Sequence, residues 1–134
     1  MKQDLTEATK NILQKNKGFI TANNYKIIKV EENYCELEGI ITDTSTNHLG
    51  TVHGGYIFGL ADSAAGIAAM TDGRIAVTLS ANINYIKAAN TSKLKAIAKC
   101  IKNSKKISFF EIDVYDEEEN IIAQSNINYY YIEK

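Results

Sequence analysis

Between Gly54 and Met70 the chain runs for seventeen residues, mostly glycine and alanine, with one charged side chain, Asp62. That is short of the roughly 20 apolar residues needed to cross a bilayer, so the segment reads as a buried helix. Asp72-Gly73 closes it. In a chain of 134 residues no other segment is long and apolar enough to fill the concavity of a sheet, so the remaining elements have to cover this one.

On either side the apolar residues recur with other periods. Leu5, Ala8, Ile12 and Leu13 fall at helical spacing, and Gly18 lies where a helix would stop, which predicts a short amphipathic helix within residues 1–18. Tyr25 to Val30 and Tyr34 to Ile41 are rich in β-branched and aromatic residues around Glu31-Glu32-Asn33, which predicts a hairpin. Thr42 to Gly50 is polar and turn-rich. After the helix, Val77, Leu79, Ala81, Ile83 and Tyr85 alternate with Thr78, Ser80, Asn82 and Asn84, which predicts a strand with one buried face. Three further strands follow, through Leu94 to Cys100, Phe110 to Val114 and Ser125 to Tyr131, with Asn103-Ser104 and Asp116 to Asn120 as hairpin turns. Tyr129, Tyr130 and Tyr131 are expected to line the last strand and not a ligand. The expected architecture is α+β: a hairpin, a central helix and a four-strand antiparallel meander, all in a single domain of 1–134.

Charge and cysteine content narrow the function classes. A net charge of -1 provides no bulk positive field for nucleic acid or anionic lipid. Cys35 and Cys100 lie far apart in apolar-alternating stretches, cannot form a CxxC-type zinc site, and read as reduced core residues. The first residues contain no apolar run of the signal-peptide kind, so the expectation is a cytoplasmic protein.

The candidate chemistry lies in Asn47-His48-Leu49-Gly50-Thr51-Val52-His53-Gly54-Gly55, with Asp62 eight residues after Gly54. A helix N-terminus offers free N–H donors and the positive end of the dipole to an oxyanion. Gly54 and Gly55 would let a substrate approach that backbone closely. A carboxylate inside an apolar helix is desolvated, which raises its pKa and makes it a better proton acceptor. Each residue has a plainer reading: Asp62 as a hydrogen bond to a loop, His53 as a loop brace bonded to Asn47, Asn47 as a turn former and Thr78 as a β-former. Lys99, Lys102, Lys105 and Lys106 surround the Asn103-Ser104 turn and read equally as a phosphate grip or as a solvated hairpin tip.

The motif from Asn47 to Gly55, the position of Asp62 and the strand order resemble the PaaI-like hotdog-fold acyl-CoA thioesterases, over nearly the whole chain after Tyr25. The resemblance implies a hotdog fold and hydrolysis of an acyl- or aryl-acyl-CoA to a carboxylic acid and free coenzyme A. It makes Asp62 the general base or nucleophile, has Asn47, His53 and the Gly54 N–H polarise the carbonyl, and has Thr78 orient water. Gly55, Lys102, Lys105 and Lys106 become substrate-binding residues. No metal is implied, and no cofactor beyond the coenzyme A carried by the substrate. Two departures stand out: His48 where many members have proline, and Ala88-Ala89 in place of a proline-containing turn. The competing readings are a hotdog 3-hydroxyacyl dehydratase, whose His-Phe-Pro pattern is absent, and a non-catalytic acyl-CoA-binding protein.

Those roles carry a geometric consequence. Gly54 and Asp62 are separated by roughly 12 Å along a helix, too far for both to serve one carbonyl. The expectation is a two-fold homodimer with shared sites, or a tetramer built as a dimer of dimers, with no nucleic-acid or membrane partner. The stripe Gly55, Gly59, Asp62, Gly66 is the expected helix–helix seam, crossing near Phe58.

Overall fold

Residues 3–14 and 18–132 are described by a computed structural model of the chain. Helix α1 (Thr6–Gln14) and helix α2 (Phe19–Ala22) precede strands β1 (Tyr25–Glu31) and β2 (Tyr34–Ile40). A 3-10 turn at Asp43–Ser45 leads to the long helix α3 (Gly54–Ala69), then to β3 (Ile75–Tyr85), β4 (Lys93–Asn103), β5 (Ile107–Tyr115) and β6 (Ile121–Ile132). All six strands form one antiparallel sheet in the order β1-β2-β4-β5-β6-β3, with α3 packed on one face. This is the hotdog arrangement expected from the sequence.

The packing follows from the small residues of α3. Leu60, Ala61, Ala64, Ala65 and Ala68 are fully buried and bring the helix backbone close to Leu37, Leu94, Phe110, Ile112 and Ile127. Tyr56 fastens the helix start, donating to the carbonyls of Asn23 at 2.8 Å and Ile40 at 3.1 Å. Gly39 makes this possible, because a Cβ there would lie 2.9 Å from the Tyr56 hydroxyl. At the far end Tyr131 donates to the Ala69 carbonyl at 2.9 Å.

Several expectations need correction. Gly18 does not end the N-terminal structure; it precedes α2, and the Ala22 N–H bonds its carbonyl. Residues 1, 2 and 15–17 of the expected N-terminal helix lie outside the described residues. Cys35 is buried but Cys100 is only half-buried, and both are free thiols.

The meander contains three strands, not four. Only β4–β5 and β5–β6 are joined by short turns, whereas residues 86–92 carry the chain from β3 beside β6 across to β4 beside β2. Strand β3 is therefore an edge, and it lacks the fully buried face expected of it: Val77, Leu79 and Tyr85 are 45%, 53% and 52% exposed. Its alternation is also interrupted. Thr78 pairs with Tyr129 and Ser80 with Asn128, leaving Leu79 as an extra bulged residue.

Candidate active site

The loop leading into α3 is built by local bonds. Asn47 N–H donates to the Thr51 carbonyl at 2.8 Å, and the Asn47 Oδ1 accepts from the Leu49 and Thr51 N–H groups at 2.9 and 3.2 Å. Its Nδ2 donates to Thr51 Oγ1 at 2.9 Å, so this side chain first of all shapes its own loop. Gly50 closes the turn at φ +82, a left-handed conformation that favours glycine. His48 is exposed, and the Ala88-Ala89 turn is fixed by a bond from Val52 N–H to the Ala89 carbonyl.

His53 caps the helix. Its Nδ1 accepts the Gly55 N–H at 2.8 Å instead of bonding Asn47 as expected. A ring whose Nδ1 is an acceptor carries its proton on Nε2, so the exposed His53 presents an N–H outward. The Gly54 N–H, first of the helix, has no acceptor among the described residues. The glycines serve the chain's own packing: a Cβ on Gly54 would come 3.2 Å from the Tyr85 ring, and one on Gly55 3.0 Å from His53 Nδ1. Tyr85, which the sequence did not mark as a site residue, donates to the Gly54 carbonyl at 2.9 Å. Asn47, Gly54 and Tyr85 line one cleft of about 300 Å³.

Two helical turns on, Asp62 occupies a different cleft, walled by Leu13, Phe19, Ile20 and Ser63. Thr78 Oγ1 donates to Asp62 Oδ1 at 2.9 Å, so these two predicted residues do meet. Tyr129, expected only to line a strand, donates to the same Oδ1 at 2.8 Å and lies 2.9 Å from the Asp62 carbonyl. Asp62 is half-buried in this chain.

The Leu79 bulge is what lets both ends of β3 serve the helix. Thr78 and Tyr85 are seven residues apart, and an odd separation on a regular strand would put them on opposite faces. The one-residue slip turns both towards α3, Thr78 to Asp62 and Tyr85 to Gly54.

The expected small-residue seam is not open. Gly59 is buried under the chain's own aromatics, and a Cβ there would lie 2.6 Å from the Tyr25 hydroxyl and 3.0 Å from the Phe19 ring. Lys102, Lys105 and Lys106 are exposed on the β4–β5 turn. Arg74 holds this turn, donating to the Ser104 and Lys105 carbonyls at 2.9 and 3.0 Å while its guanidinium lies 3.5 Å over the Tyr131 ring. The turn therefore stands by the C-terminal end of α3, away from Gly54.

Comparison with known proteins fits this geometry. The family model of the thioesterase superfamily matches residues 49–123, which takes in His53, Gly54, Asp62 and Thr78 but begins just after Asn47. The structure of the Escherichia coli PaaI protein, from the phenylacetic acid degradation operon, is similar over 96% of this chain and 94% of its own, with TM-score 0.89 and 21% identity, a likeness of fold. A hypothetical thioesterase of Streptococcus pneumoniae TIGR4, solved with coenzyme A, is 25% identical with TM-score 0.81 over 87% of this chain and 92% of its own. The smu.793 protein of Streptococcus mutans UA159, solved bound to acetyl CoA, is 26% identical with TM-score 0.79 over 83% and 90%. Among the described residues no helix is long and apolar enough to cross a membrane.

Proposed function

As a chain that belongs to the thioesterase superfamily, this protein is a thioester hydrolase, and we propose that it cleaves acyl-CoA to a carboxylic acid and free coenzyme A. The observation that carries the reading is the pairing of Asp62 with Thr78 in a cleft walled by Leu13, Phe19 and Ile20, an apolar surface suited to an acyl group. The streptococcal proteins that hold coenzyme A and acetyl CoA support the leaving group.

In this reading Asp62 either takes a proton from water as the water oxygen bonds to the carbonyl carbon, or attacks that carbon itself. The carbonyl oxygen becomes an oxyanion, and the Gly54 N–H with the His53 Nε2–H stabilises it. Collapse breaks the C–S bond; the sulfur leaves with its electron pair and takes up the proton that Asp62 removed from water or, where Asp62 attacked the carbon, one from solvent. When Asp62 attacks first, water then hydrolyses the resulting anhydride. Thr78 gives its only proton to Asp62, so it orients water by accepting from it. Lys102, Lys105 and Lys106 hold the phosphates of coenzyme A, and Asn47 keeps the donor loop in shape.

The two halves occupy separate clefts of one chain, which supports a shared site. The seam we propose is the β3 edge in place of the glycine stripe. It is eleven residues long, leaves apolar side chains open, and has no strand on its outer side among the described residues. Pairing two β3 strands antiparallel about a two-fold axis lays the two α3 helices antiparallel. Asp62 of one copy then stands by Gly54 of the other.

A thiol-release assay over a panel of acyl-CoAs, run with the wild-type chain and Asp62→Ala, tests the activity. Turnover lost with Asp62→Ala supports the reading, and no turnover on any acyl-CoA defeats it. Mixing Asp62→Ala chains with chains carrying Asn47→Ala and His53→Ala tests the sharing. Recovered activity supports it, and none after proven subunit exchange refutes it.

A further inference from the structure

Tyr129 is buried on the inward face of β6, only 2% exposed, and a phenol so placed needs a partner. Many acceptors would suffice, but here the partner is the carboxylate. The hydroxyl lies 2.8 Å from Asp62 Oδ1 and 2.9 Å from the Asp62 main-chain carbonyl, so one side chain grips both the backbone and the head group of a single residue.

The grip is prepared by the sheet. Thr78 and Tyr129 are directly paired across β3 and β6, so their hydroxyls converge on one oxygen, Oδ1. The Tyr129 ring is itself fixed edge-on against Phe110, with centroids 5.8 Å apart. Burial and the neighbouring Asp62 charge hold the phenol far above its ordinary range, so it remains a donor at any working pH. Oδ2, by contrast, has no hydrogen-bond partner among the described residues.

We infer that Tyr129 is a positioning residue which, together with Thr78, ties up Oδ1 and leaves Oδ2 as the one oxygen of Asp62 free to act on substrate or water. The inference rests on the thioesterase reading for its consequence in turnover, but not for the contact itself. Two donors on one carboxylate oxygen fix the side-chain rotamer. A carboxylate held by one oxygen presents the other at a fixed place, which is what proton transfer or attack at one carbon requires.

Tyr129→Phe removes the hydroxyl and keeps the ring against Phe110. We expect kcat for acyl-CoA hydrolysis to fall about tenfold with KM within twofold of wild type, as for an interaction that acts on the reacting group. A merely structural tyrosine would lower the melting temperature and leave kcat in place; that result overturns the inference. The chemical shift of the Asp62 carboxyl carbon, read by NMR in both proteins at one pH, needs no substrate. A changed shift in Tyr129→Phe supports the grip, and an unchanged one overturns it, even in a protein that hydrolyses no acyl-CoA.

Discussion

The start of α3 and its middle are both polar places on an apolar helix, yet they are assembled in opposite ways. At the start the bonds are local: His53 to Gly55, two residues on, and Asn47 to Thr51, four on. At the middle Asp62 is held by Thr78, sixteen residues on, and Tyr129, sixty-seven on. The start is thus a loop conformation, complete once a nine-residue stretch is folded, whereas the middle is assembled only when β3 and β6 are paired beside the helix. A short motif can encode the first. Only a finished sheet can produce the second.

If the middle is the chemical half, its loss should be the most severe. Asp62→Ala is expected to stay folded and to lower turnover by about 100-fold or more, the scale of removing a positioned acid-base group. Near-normal activity in the purified variant would remove the distinction altogether. At the helix start, Gly54→Ala sets a methyl 3.2 Å from the Tyr85 ring and should displace the donor N–H, with a loss of about tenfold in kcat. A loss equal to that of Asp62→Ala would make the two halves equivalent in effect. Thr78→Ala leaves Tyr129 on Oδ1, so we expect a smaller loss of about fivefold, and Thr78→Ser should restore most of it. An effect matching that of Asp62→Ala would show that Thr78 does more than hold the carboxylate.

The smallest effect should belong to neither half. Replacing Lys105 and Lys106 together by alanine is expected to raise KM for acyl-CoA about threefold, in a salt-sensitive way, because exposed ion pairs are weak and screened. A truncated thioester without the nucleotide should be unaffected. Equal response of both substrates would detach this turn from coenzyme A.

The same contrast explains what could be read in advance. The α3 boundaries, the first hairpin and the β4–β5–β6 strands were legible because apolar period and motif spacing are properties of neighbouring residues, whereas Asp62 and Thr78 were joined only by the family resemblance. The position of β3 was not, since alternation says that a strand has two faces and not which neighbour it takes. Tyr129 was hidden for a related reason. Its inward parity with Ser125 and Ile127 could have marked a buried hydroxyl in need of a partner, but the partner lies on another element. His53 went to Gly55 and not Asn47 because a helix N-cap position puts a side chain nearest to its own first turn.

The Leu79 bulge gives β3 a property closer to phase than to shape. Counting outward from it, every residue on one side keeps step with Thr78 and every residue on the other with Tyr85, so a single deletion or insertion in this strand would shift one set by half a period against the other. Whichever end then stayed in register, the other would turn its side chain from the helix to the outer surface. The count of residues between Thr78 and Tyr85 cannot change by one without separating Asp62 from Thr78 or Gly54 from Tyr85. Length, in this one strand, binds the two contacts together as firmly as any side chain.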